Sequence, residues 1–120
     1  MTALTDALTE KDLQASIVEA ARWFRWHVFH PFDSRRSAAG WPDLSMVHPD
    51  YGIVFAELKR EGKHPTSEQV RVLAALARWN SQVYVWRPSN LTDVISYLQG
   101  TTGAMERLEP TRVTGRPTSA

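Results

Sequence analysis

The sequence predicts an α/β domain, a mixed β-sheet with helices on its faces, and three observations lead there. Two segments carry apolar residues at the 3.6-residue period of an amphipathic helix, near residues 10–25 and 66–79. Four short runs rich in aromatic and β-branched residues are bounded by Pro and Gly. Their order is helix, three strands, helix, strand, helix. Three consecutive strands make an antiparallel meander, and the helix before the fourth allows a crossover that sets it parallel to a neighbour. At 120 residues the chain suits one domain with one core.

Each element has a local cause. Thr9 caps the first helix with Asp12 three residues on, and Leu13, Ile17, Ala20, Ala21 and Phe24 form its buried stripe. Trp26 to Phe32 reads as the first strand, and Asp33 to Gly40 as a polar loop. Gly40-Trp41-Pro42-Asp43 opens the second strand, Leu44 to Val47. His48-Pro49-Asp50-Tyr51-Gly52 is a turn, and Ile53 to Lys59 is the third strand. Residues 60–65 form a charged loop. Thr66 and Gln69 make a capping box for a helix that runs to about Trp79, with Val72, Leu73 and Leu76 inward. Gln82 to Arg87 alternates as a fourth strand and Pro88 stops it. Ser89 or Asn90 caps a last helix that Gly100 ends. From Thr101 the chain turns to Thr, Gly, Pro and Arg, so residues 1–100 are expected to be the domain. Residues 101–120 are expected to be a tail, mobile or ordered only against a partner.

Composition narrows the chemistry. The absence of Cys removes disulfides, thiolate metal sites and thiol nucleophiles, and fits a reducing cytosol. No stretch approaches a membrane span, and the first residues lack the basic and apolar regions of a signal peptide. A net charge of +1 gives no global basic field, so nucleic-acid binding would need a local patch. His27, His30, His48 and His64 form no metal-ligand spacing, and there is no phosphate loop or Ser-His-acid set.

The hairpin carries the strongest signal. Facing residues of an antiparallel pair have numbers with a constant sum, and a turn centred on Asp50 sets that sum near 100. Asp43 then faces Glu57, and the two-residue strand period puts Lys59 on the same face. Facing carboxylates repel unless a proton or cation lies between them. Lys59 alone could play that part on a solvated strand edge. A divalent ion could play it better, with the Leu58 carbonyl as a further oxygen ligand.

Pro42-Asp43 followed by Glu57-x-Lys59 resembles the signature of the PD-(D/E)xK nuclease superfamily. More narrowly, Gly40-Trp41-Pro42-Asp43, Glu57-Leu58-Lys59 and Gln69, with Glu10 and Gln14 opening the first helix, resemble the VRR-NUC family of virus-type replication-repair nucleases. The resemblance covers roughly residues 9–98. It implies a restriction-endonuclease-like αβββαβ core and an Mg²⁺- or Mn²⁺-dependent endonuclease without organic cofactor. Asp43, Glu57 and the Leu58 carbonyl would hold the metal, with Glu10 reaching it directly or through water. Lys59 would act on the attacking water, and Gln69 would touch the site from the second helix. Glu10 and Gln69 also have simpler roles, as a first-turn acid and as a capping residue. Arg35, Arg36, Arg60, Lys63 and His64 flank the acids in sequence and are the candidate nucleic-acid contacts, against the simpler role of loop solubility. The resemblance further implies branched DNA such as a Holliday junction as substrate and a homodimer to match its symmetry. A phage gene product acting in the host cytoplasm fits this expectation. Two other readings stand beside it: a non-catalytic nucleic-acid-binding or assembly module, and a restriction-like or RNA-directed nuclease.

Overall fold

The computed structural model describes residues 8–30, 39–80 and 82–115. Helix α1 spans Glu10–Trp23 and starts where predicted: the Thr9 hydroxyl accepts from Asp12 N–H at 3.0 Å, and the Asp12 carboxylate answers Thr9 N–H. Leu13, Ile17 and Ala21 are fully buried along its inner stripe. The helix ends at Phe24, and Arg25 turns the chain with a φ of 72°.

Strands β1 (His27–Phe29), β2 (Leu44–His48), β3 (Gly52–Leu58) and β4 (Val83–Trp86) form one sheet in that order. The first two pairings are antiparallel and β3–β4 is parallel. The mixed sheet follows from the crossover through α2 (Ser67–Trp79), which opens with the expected Thr66–Gln69 capping box. The β2–β3 register pairs Leu44 with Ala56 and His48 with Gly52, so the sum of 100 holds along the hairpin.

That register decides which face is core. Leu44, Met46, Val54, Ala56, Leu58, Tyr84 and Trp86 point to one side and bury against α1. The other side carries Ile53, Phe55, Glu57 and Lys59, and α2 covers only part of it. Phe29, Val47 and Ile53 stay exposed there, while Glu57, nearer α2, is 2% exposed. His48 locks the hairpin turn to the end of α1. Its Nδ1 accepts from Asp50 N–H and its Nε2 lies 3.1 Å from the Phe24 carbonyl, with Trp26 and Tyr51 against the ring.

Three sequence expectations are corrected. The first strand begins at His27 rather than Trp26, because Trp26 turns into the core and its indole N–H donates to the Leu98 carbonyl at 2.8 Å; it runs to Phe29, and the expected strand end at Pro31-Phe32 and most of the expected Asp33–Gly40 loop lie outside the described residues. The last helix, α3 (Leu91–Gln99), follows a 3-10 turn at Pro88–Asn90. Asn90 does not cap it, since its side-chain oxygen accepts from Arg87 N–H instead. Gly100 ends α3 in the left-handed region as expected. The largest correction concerns the chain past residue 100. Helix α4 (Ala104–Leu108) inserts Ala104 and Leu108 into the core, fully buried. Arg112 then bridges Tyr84, and Val113 N–H donates to the Val83 carbonyl at 2.8 Å, so residues 101–115 belong to the domain. Two well-spaced apolar residues suffice because α3 and β4 already present a surface for them. None of the helices among the described residues is long and apolar enough to cross a membrane.

Candidate active site

The C-terminal end of β3 gathers the side chains that the hairpin arithmetic pairs. β2 begins only at Leu44, because the chain bends at Asp43. The Asp43 carboxylate therefore replaces a ladder carbonyl and accepts from Leu58 N–H at 2.9 Å. By the same register the next position facing Leu58 falls on Pro42, which has no N–H. The Leu58 carbonyl is thus left without a ladder donor on the side where Asp43 lies.

Glu57 is the buried member of the pair. Its Oε2 accepts from Gln69 Nε2 at 2.8 Å and lies 3.4 Å from Lys59 Nζ. Its Oε1 is buried and has no hydrogen-bond partner among the described residues. A buried, unpartnered carboxylate oxygen is costly, so something must neutralise it. Burial, and then the charge of Asp43, push the Glu57 carboxyl up to about 7, against the opposing pull of Lys59. Burial also raises Asp43, countered by the Leu58 N–H bond and reinforced by Glu10. Without a cation the pair shares a proton near neutral pH; with one, both carboxylates are free to ionise.

The supporting parts have identifiable causes. Gln69 serves twice: its side-chain oxygen accepts from Thr66 N–H at 2.8 Å while its Nε2 holds Glu57. Capping and site roles, which look like alternatives in the sequence, coexist in one side chain. Gly40 has a φ of 82°, and a Cβ there would lie 2.6 Å from the Glu68 carbonyl oxygen. The Asp43 segment thus packs directly on the first turn of the helix that carries Gln69. Trp41 packs edge-on against Phe55, with ring centres 6.0 Å apart, and its N–H reaches Ser45.

Glu10 comes to the site's edge. Its carboxylate accepts from Arg60 N–H at 3.2 Å, and its charge is felt at Asp43. It does not complete a three-acid cluster: among the described residues no three His, Cys, Asp or Glu side chains converge as metal ligands. The donor set on offer is two carboxylates and the Leu58 carbonyl, which fits a hard divalent cation completed by water. Arg60, Lys63 and His64 are exposed on the loop leaving β3. Arg87 and Ser89 tie that loop down, through the Lys63 carbonyl at 2.6 Å and the Glu61 carboxylate at 2.6 Å. Arg35 and Arg36 lie outside the described residues.

Sequence reasoning missed two features, the Leu58 N–H clamp on Asp43 and the close approach behind Gly40. The signals were present, a Pro just before the acid and a Gly ahead of it, but only the packing against α2 gives them meaning. No family model, no curated protein and no solved structure matches the chain.

Proposed function

We propose that this protein is an Mg²⁺- or Mn²⁺-dependent endonuclease that hydrolyses phosphodiester bonds in DNA, on a restriction-endonuclease-like αβββαβ core. The observation that carries the reading is the buried Glu57 carboxylate, with one oxygen unpartnered, beside Asp43 and next to an amine. A purely structural ion pair needs neither the second acid nor the unsatisfied oxygen.

Asp43 and Glu57 would hold the ion with the Leu58 carbonyl. The ion would polarise the scissile phosphate and acidify a water. Lys59, only 13% exposed and held at Glu57, is placed to orient that water and to offset charge growing on the phosphoryl oxygens. Gln69 holds Glu57 Oε2, which would leave Oε1 free to take part in holding the ion. Arg60, Lys63 and His64 supply counter-charge for a phosphate backbone. Branched DNA such as a four-way junction is the proposed substrate, and two copies related by a twofold axis would match its symmetry.

Incubating the protein with a four-way junction, a flap, a linear duplex and RNA, each with Mg²⁺, Mn²⁺ or Ca²⁺, tests this. Cleavage of the junction with Mg²⁺ or Mn²⁺ and little with Ca²⁺ is expected, since calcium's looser coordination positions water poorly. Preference for RNA or linear duplex would correct the substrate class. A folded protein inert on all four would make the site a structural patch in a binding module. A monomeric mass in solution with full junction cleavage would remove the dimer.

A further inference from the structure

On the outer side of α1 a groove of about 710 Å³ runs along the helix. Lys11, Ala15, Val18 and Arg22 recur along one helical stripe in it, and Trp23 stands on the rim, 82% exposed. Lys11 and Arg22 sit at opposite ends, about 17 Å apart along the axis at the usual helical rise. Among the described residues no carboxylate pairs with either cation. Gln14, hydrogen-bonded to His30 at 3.4 Å, lines the end nearer the site, one helical turn after Glu10. Glu10 accepts from Arg60 N–H at the end of β3 and its charge is felt at Asp43, so this end of α1 is the one beside the acidic pair.

An exposed indole beside a furrow with a cation at each end matches the chemistry of a nucleic-acid strand. Every base has a face that stacks on an aromatic ring, and phosphates seek lysine and arginine. A duplex cannot present its bases to a ring at a helix surface, whereas a single strand can. We propose that the α1 groove binds a single-stranded stretch of nucleic acid next to the cut position, with a base stacked on Trp23 and phosphates at Lys11 and Arg22. This rests on the nuclease reading for its substrate but not for its measurement. Glu19 also lines the groove and opposes the phosphates, which gives the proposal a sign that packing would not have.

The test is fluorescence anisotropy of a labelled oligothymidylate of about a dozen nucleotides, against a blunt hairpin duplex, with the full chain and no metal. Trp23→Ala should weaken oligothymidylate binding about five- to hundred-fold, more than it weakens duplex binding, and Trp23→Phe should restore most of it. Lys11→Ala and Arg22→Ala should weaken binding and each lower the salt dependence by about 0.7. Glu19→Gln should tighten it. Equal binding by Trp23→Ala and wild type, or weaker binding by Glu19→Gln, overturns the proposal. Junction cleavage without a Trp23 effect on binding removes the groove and keeps the nuclease. Trp23-dependent oligonucleotide binding by a protein that cuts nothing keeps the groove and removes the nuclease.

Discussion

At the scale of single residues, the site is defined by where protons and charges rest. Glu57 has a folded-state value near 7, above the ordinary 4.5, so the native protein holds a proton that the unfolded chain has released. A raised carboxyl means that stability falls as pH rises through the window from about 4.5 to 7. A divalent ion that binds the ionised pair reverses this, so its stabilisation grows with pH across the same window. Thermal melts at about pH 5 and pH 8, with and without Mg²⁺, should show the metal raising the midpoint mainly at the higher pH. In Glu57→Gln both the pH slope and the metal effect should shrink. Equal Mg²⁺ stabilisation at both pH values would separate the metal from this pair. The hairpin register was legible in the sequence because it is arithmetic, and it brings Asp43 close enough for its charge to be felt at Glu57, although the ladder itself stops at Leu44–Ala56. The burial of Glu57 was not, because it depends on Gln69 arriving from a helix twelve residues away.

Among elements, the site is a junction of three: the bend before β2, the end of β3 and the first turn of α2. Gly40 lets the first touch the third. Gly40→Ala adds a methyl where the Glu68 carbonyl lies 2.6 Å away, in a backbone region that Ala resists, and should cost about 1–3 kcal/mol. Because the displaced segment carries Asp43, its cleavage rate should fall even at temperatures where circular dichroism shows a folded chain. Unchanged activity in a folded Gly40→Ala protein would mean that the contact does not position the acid. Thr66→Ala removes one half of the capping box and should cost about 1 kcal/mol, read by denaturant unfolding. Capping boxes and helical stripes were readable because they are local patterns. The first strand was over-read because Trp26 looks like strand sequence, yet its indole serves the core and the Leu98 carbonyl.

Across the whole molecule, one core joins α1, the sheet, α3 and the segment after residue 100. The segment's composition resembles a tail, and sequence patterning cannot reveal that β4 leaves an edge for Val113 and a pocket for Leu108. Leu108→Ala should therefore destabilise the protein by about 2–5 kcal/mol in denaturant unfolding, where a mobile tail would give none. Parallel β3–β4 pairing was predictable from the α2 crossover, and it brings the ends of both strands to one edge beside the exposed cations. The proposed nuclease draws on that edge as a whole: acids inside, amine beside them, basic loop outside.

In the proposed reaction Asp43, Glu57 and Lys59 act together on a phosphodiester through a bound cation. Single-turnover cleavage of a four-way junction, measured for wild type, Asp43→Asn and Lys59→Ala at a saturating Mg²⁺ concentration, tests it most directly. Asp43→Asn keeps an acceptor for Leu58 N–H while removing the charge, and in Lys59→Ala the buried Glu57 carboxyl can keep its proton, so circular dichroism should show both variants folded. The predicted result is Mg²⁺-dependent cleavage by wild type and a loss of about 10²-fold or more in each variant. Cleavage at wild-type rates by either folded variant, or none by wild type itself, would contradict it.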